Sequence, residues 1–123
     1  MEATVYKIVP APLWTAAVAE GVFRGAPVDL ADGYIHFSTA AQVRETARRH
    51  FAGQDDLLLV AVDAAALGTA LVYEPSRGGD LFPHLYGPLP VAAATAVTAL
   101  PLGADGAHVF PGDLVAADGE ARP

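Results

Sequence analysis

Apolar positions along this chain recur with two different periods, and the switches between them mark its elements. Val5-Tyr6-Lys7-Ile8-Val9 is a short β-rich run closed by Pro10. Trp14, Ala17, Val18 and Gly21 then recur at helical spacing. Pro12 suits the first turn of that helix, where an absent N–H loses no partner, and Gly21 suits its stop. The stripe is predicted to pack on a sheet. From Arg24 to Asp32 the period vanishes, and Gly25, Pro27, Asp29 and Asp32 predict a loop ending in an Asp32-Gly33 turn.

Gly33 to Thr39 is the stretch around which the rest is organised. If it is extended, Ile35 and Phe37 point to one face while Tyr34, His36 and Ser38 point to the other. Thr39-Ala40-Ala41-Gln42 reads as a capping box, so that polar face is presented where a strand ends and a helix begins. The helix runs from about Ala40 to His50, with Val43, Ala47 and Phe51 inward and Arg44, Glu45, Arg48 and Arg49 in water. Glu45 is spaced to pair weakly with Arg48 and Arg49.

Leu57 to Val62 shows no alternation, as a strand buried on both faces would, and is predicted to be central. Ala70 to Glu74 reads as the next strand and Pro75 to Asp80 as a flexible loop. Phe82 to Tyr86 could be a strand, with Pro83 confining it to an edge or an irregular segment. Its alternation sets Phe82, His84 and Tyr86 on one face, where an aromatic mini-core competes with a site. Val91 to Leu100 suits helix or strand, and its Val and Thr content between Pro90 and Pro101 favours strand. From Gly103 onward Gly, Pro and acidic residues predict a loss of order. The domain is therefore set at residues 1–112, with residues 113–123 as a flexible tail.

Composition narrows the classes. The 123 residues are 53% hydrophobic and 17% charged, enough for one globular α+β domain. A formal net charge of −7 disfavours DNA or RNA as a partner. No cysteine is present, which excludes disulfides, thiolate zinc and a cysteine nucleophile, and fits a reducing cytosol. The apolar runs fall short of the ~20 residues that span a bilayer. A soluble, cytoplasmic protein is expected, and the pattern leaves its oligomeric state open.

Chemistry-bearing residues cluster in a few phrases. His36 and Ser38 share a polar face, Tyr34 and Tyr86 can stack, and Arg77 lies in Ser76-Arg77-Gly78-Gly79, whose amides could cradle an anion. Glu74 is the carboxylate at a nearby strand end. Each also has a plain reading: His36 as a hydrogen-bonded, half-buried histidine, Arg77 as a solvated cation, Glu74 as a loop acid or an arginine's partner. No local histidine pair suggests a metal site, and none is expected. Ser38 lies too near His36 in sequence for a conventional triad, and the chain has no Gly-x-Ser-x-Gly elbow, no Walker loop and no Gly-x-Gly-x-x-Gly.

Tyr6-Lys7-Ile8, Asp32 to Ser38, Tyr73-Glu74, Ser76-Arg77-Gly78-Gly79 and Phe82-Pro83-His84-Leu85-Tyr86-Gly87, in that order, resemble the bacterial family called domain of unknown function 952. That family is similar in fold to ADP-ribosyltransferases and to RNA 2′-phosphotransferases that use NAD. The resemblance implies a curved or split mixed β-sheet flanked by two main helices. It also implies a cleft for NAD(+) or another small anionic or nucleotide ligand, with His36 and Glu74 as catalytic candidates and Tyr34, Ser38, Arg77, His84 and Tyr86 as binding candidates. Where the transferases carry a His or Arg on the first strand, this chain has Lys7. The alternative is a non-catalytic module that keeps the fold to bind a small ligand or a protein.

Overall fold

A computed structural model of the protein describes residues 3–112 and residue 114, the side chain of Arg77 excepted. The chain runs β1 (Thr4–Pro10), α1 (Ala11–Glu20), β2 (Val22–Phe23), α2 (Pro27–Asp32), β3 (Ile35–His36), α3 (Ala40–His50), β4 (Leu57–Asp63), β5 (Leu71–Ser76), β6 (Asp80–Leu85), β7 (Leu89–Pro90) and β8 (Ala94–Ala99). Its strands form sheets in the orders β1-β4-β8, β3-β6-β5 and β2-β7. The class is α+β and the sheet is split, as expected. It is not mixed: every pairing among the described residues is antiparallel. β5 and β6, for instance, are joined by a tight Arg77–Gly79 turn, which can only return the chain antiparallel.

β4 lies between β1 and β8, and both its faces are core. Val60 and Val62 pack with Val5, Trp14, Phe23, Ile35 and Leu85. Leu57 and Leu59 pack with Ile8, Leu100 and the Val43 and Ala47 face of α3. Two apolar environments, one per face, remove any reason for alternation, and so the run reads as continuous. On α1, Trp14 and Ala17 are buried as predicted, but Val18 is exposed. Glu45 pairs with Arg49 at 2.6 Å and with Arg48 at 3.6 Å on the wet face of α3.

Three expectations are corrected. Residues 27–32 form a helix: Pro27 begins it, Asp29 Oδ2 accepts from the Ala26 N–H at 2.7 Å, and Gly33 ends it at φ 89°. The starting proline, the acid that reaches back and the left-handed glycine are ordinary helix signals, compressed into six residues. β6 is central and carries Pro83 nonetheless. The Pro83 carbonyl accepts from the Phe37 N–H at 2.9 Å, beyond the end of β3, so its absent N–H falls on the side where that short ladder has stopped. Residues 103–112 do not trail off. Leu102 bridges His108, the Val109 N–H donates to the Pro101 carbonyl at 2.8 Å, and Phe110 packs on the α3 side of the core. The flexible tail expected over 113–123 lies outside the described residues except for Leu114, which is buried beside α3.

Candidate functional site

The β3-β6-β5 sheet gives one face to the core and the other to chemistry. In its register His36 lies opposite His84, Val72 opposite His84 on the far side, and Glu74 opposite Phe82. Alternation then turns Ile35 and Leu85 into the core, and His36, His84, Phe82 and Glu74 the other way. Tyr34 lies over this face, its ring centroid 4.2 Å from that of His84 at 27°, 4.7 Å from His36 and 5.2 Å from Tyr86.

Glu74 Oε1 accepts from two directions, His84 Nδ1 at 2.7 Å and the Tyr86 hydroxyl at 2.8 Å. A carboxylate only accepts, so Nδ1 carries the hydrogen and Nε2 is the ring atom left for other partners. The bond from His84, and after it the one from Tyr86, holds the Glu74 carboxyl below its ordinary range. The same bond to Glu74 pushes the Tyr86 phenol up, with its burial and the surrounding charges adding to it. Burial, and then the charges of Asp32 and Glu74, push the Tyr34 phenol up as well.

His36 is held differently. Its Nδ1 lies 2.6 Å from Asp29 Oδ1 and its Nε2 2.9 Å from Asp32 Oδ2. Both contacts are hydrogen bonds only when both ring nitrogens carry hydrogen. Asp29 is the hub beneath it, with a side chain only 1% exposed. Its oxygens also meet Lys7 Nζ at 3.2 and 3.1 Å and the amides of His36 and Ala26 at 3.1 and 2.7 Å. Burial alone would raise the Asp29 carboxyl; the His36 bond, the Lys7 charge and the two amides outweigh it and bring it down to about 2. Burial pushes the Lys7 ammonium down, and the charge and bond of Asp29 pull against that. Lys7 Nζ also donates to the His36 carbonyl at 2.9 Å, which ties β1 to β3.

These networks border a cavity of about 630 Å³. Its walls include Tyr6, Ile8, Phe37, Phe51 and Phe82, and its polar lining includes Lys7, Asp32, His36, Ser38, Thr46, His50, Ser76 and His84. Ser38 is buried, bridges the backbone of Tyr6, and shares a 2.8 Å hydroxyl bond with Thr46 of α3.

Tyr34, His36, Glu74, His84 and Tyr86 thus come together, while Ser38, which alternation set on the face of Tyr34 and His36, sits apart from them on the cavity wall. Only Ile35 and His36 of the organising stretch belong to a regular ladder. Of Arg77 the backbone turn is described, and its side chain lies outside the described residues. The sequence reading missed Asp29, Lys7 and Asp32 as site residues. The pointer to Asp29 was Pro27 two residues before it, the start of a helix whose third position takes an acid; nothing local linked it to Lys7, which is 22 residues away. No cluster of metal-binding side chains occurs among the described residues, and no helix there is long and apolar enough to cross a membrane.

A split antiparallel α+β domain with a histidine-bordered cavity is the class that this geometry defines. The chain belongs to the family described as Protein of unknown function (DUF952), whose model matches residues 8–97. It is similar to the X-ray structure of protein CC0527 from Caulobacter crescentus, with 49% identity, 90% of this chain and 97% of that one covered, and a TM-score of 0.86. The solution NMR structure of CC0527 is similar at 50% identity over 85% of this chain and 90% of that one, with a TM-score of 0.78. No curated protein matches the chain.

Proposed function

We propose that the cavity binds a small ligand of the nucleotide class, NAD(+) in the form that a likeness to ADP-ribosyltransferases implies, and that His84 exchanges a proton with it. The observation that carries this reading is the 2.7 Å bond from His84 to Glu74 at the edge of a cavity of about 630 Å³. Ligand sites of roughly 300–1,000 Å³ combine apolar walls with a few convergent polar groups. A carboxylate that holds one imidazole nitrogen leaves the other oriented as an acid or base. Phe37, Phe51 and Phe82 offer apolar surface to a planar ring. In a transferase, Glu74 would also stabilise a developing sugar cation, while Tyr34, Tyr86, Ser38 and Arg77 would serve in binding and His36 in positioning.

Calorimetry with NAD(+) and with ADP-ribose tests this directly. Binding at millimolar ligand or tighter is expected, weakened about tenfold or more in His84→Ala, by the scale of one lost hydrogen bond to a charged or well-oriented group. No binding would sink the NAD form, and binding unchanged in both His84→Ala and His36→Ala would place the ligand elsewhere.

One observation favours the non-catalytic alternative. Lys7 stands where the transferases carry a His or Arg, and its ammonium is occupied by Asp29 and the His36 carbonyl. Such a cation braces the fold and has less to give a substrate. Nicotinamide release from NAD(+), followed with and without candidate acceptors, separates the two readings: release above the rate without protein identifies an enzyme.

A further inference from the structure

The hydrogen bonds around the cavity fix which of its polar atoms can give a hydrogen and which can only take one. Lys7, Ser38 and His84 are buried members of its lining. The Lys7 ammonium has three oxygens within 3.2 Å, both of Asp29 and the His36 carbonyl, so its hydrogens are taken. Ser38 and Thr46 share a 2.8 Å bond, and Thr46 Oγ1 donates to the Gln42 carbonyl at 3.2 Å. A hydroxyl has one hydrogen, so Ser38 gives its own to Thr46 and keeps only lone pairs for a ligand. His84 gives its Nδ1 hydrogen to Glu74. Its Nε2 is then an acceptor, hydrogen-bonded to no other group among the described residues and not sealed from solvent. Charge runs the same way. The carboxylates of Asp29, Asp32 and Glu74 stand against two cations, Lys7 and a protonated His36, and those two are already engaged.

We infer, resting on the nucleotide-class reading above, that the cavity takes in the uncharged nucleoside end of its ligand through that end's N–H and O–H donors, and leaves the phosphates in water. A phosphate brings acceptors and negative charge; set against buried acceptors it would lose its water with no donor to replace it. An amine or a sugar hydroxyl instead gives a hydrogen to His84 Nε2 or Ser38 Oγ, while Phe37, Phe51 and Phe82 cover the base. The net charge of −7 adds to the exclusion of anions.

Calorimetry of the full chain with adenosine, adenosine monophosphate and pyrophosphate as probes tests this. Adenosine should bind at least as tightly as its monophosphate, and millimolar pyrophosphate should leave adenosine binding unchanged. Purine riboside, which lacks the amine, or 2′,3′-dideoxyadenosine, which lacks two sugar donors, should bind about tenfold more weakly than adenosine, the scale of one lost hydrogen bond. Ser38→Ala or His84→Phe should remove that difference, with thermal melts showing that the variant is folded. A monophosphate bound more tightly than adenosine overturns the inference, and so do both donor-poor nucleosides bound as well as adenosine, or a donor preference kept in both variants. Each of these leaves NAD(+) binding standing. NAD(+) bound where adenosine is not overturns it too. Adenosine bound with its donor preference where NAD(+) and ADP-ribose fail supports the inference and sinks only the NAD form, whereas failure of all three overturns both readings.

Discussion

His36 and His84 face each other across one rung of the β3–β6 ladder, and each is held by a carboxylate, yet the two carboxylates live in different surroundings. Asp29 is sealed, with a side chain 1% exposed, and binds the Lys7 ammonium and two amides as well. Glu74 sits at the rim, its side chain 35% exposed, and binds one imidazole and one phenol. In low dielectric a charge is costly unless every lone pair is met, and a group so fully met is fixed in place. At the rim water shares the load. The rings run the other way from their carboxylates: the His36 side chain is 31% exposed and the His84 side chain 4%, and both border the cavity.

The contrast breaks most visibly if Asp29 is removed. Asp29→Ala should cost about 3–5 kcal/mol in denaturant unfolding, because it strands the Lys7 ammonium in the interior. Loss below 1 kcal/mol would mean that the hub is not structural.

Acid probes the same hub without mutation. The folded Asp29 carboxyl, at about 2, lies below its ordinary value of 3.8. Its stabilisation is therefore complete above the ordinary value and is lost as pH falls through about 2. The size is roughly 2 kcal/mol. A comparison of acid unfolding in the wild type and Asp29→Asn measures it, the variant lacking that part of the acid limb.

Gly25 bears on the hub through geometry alone. Its φ is +128°, and a Cβ there would meet the Asp29 Cβ at 2.9 Å. Gly25→Ala should therefore cost about 1 kcal/mol or more. Thermal melts of the variant read the loss, and an unchanged melting temperature would show that Asp29 can shift freely.

The rim pair should respond in the opposite way. Glu74→Gln is expected to leave the unfolding midpoint unchanged while the Tyr86 phenol titrates lower, nearer its ordinary value, because the charged acceptor that raises it is gone. NMR titration of the tyrosine rings detects this. If Glu74→Gln destabilises the protein as Asp29→Ala does, the two networks are not distinct.

Much of the architecture was legible locally. α3 begins at its capping box, where the Thr39 N–H donates to Gln42 Oε1 at 3.0 Å, and β4 is central as its unbroken apolar run implied. The alternation in Tyr34-Ile35-His36 put that histidine on a polar face before any contact was known, and the alternation in Phe82-Pro83-His84 left an aromatic mini-core and a site both open. What misled was brevity and context. α2 has six residues, too few to show a period, and Pro83 excludes a central place only where its missing N–H would face a continuing strand. Lys7 was marked only by the resemblance, as standing where the transferases carry a His or Arg; its burial against Asp29 depends on where a separate helix lands.

By itself, then, the sequence determined which residues pair with their near neighbours: caps, turns, the faces of strands, and the two phrases that carry His36 and His84. These follow from φ/ψ preferences and side-chain period, which act over a few residues. The tertiary structure alone decided that Asp29 would lie beneath His36 and Lys7, that Glu74 would hold His84, and that a cavity would open between them. Those are contacts between segments from 7 to 22 residues apart and more, whose strength comes from the exclusion of water. No local pattern encodes a dielectric.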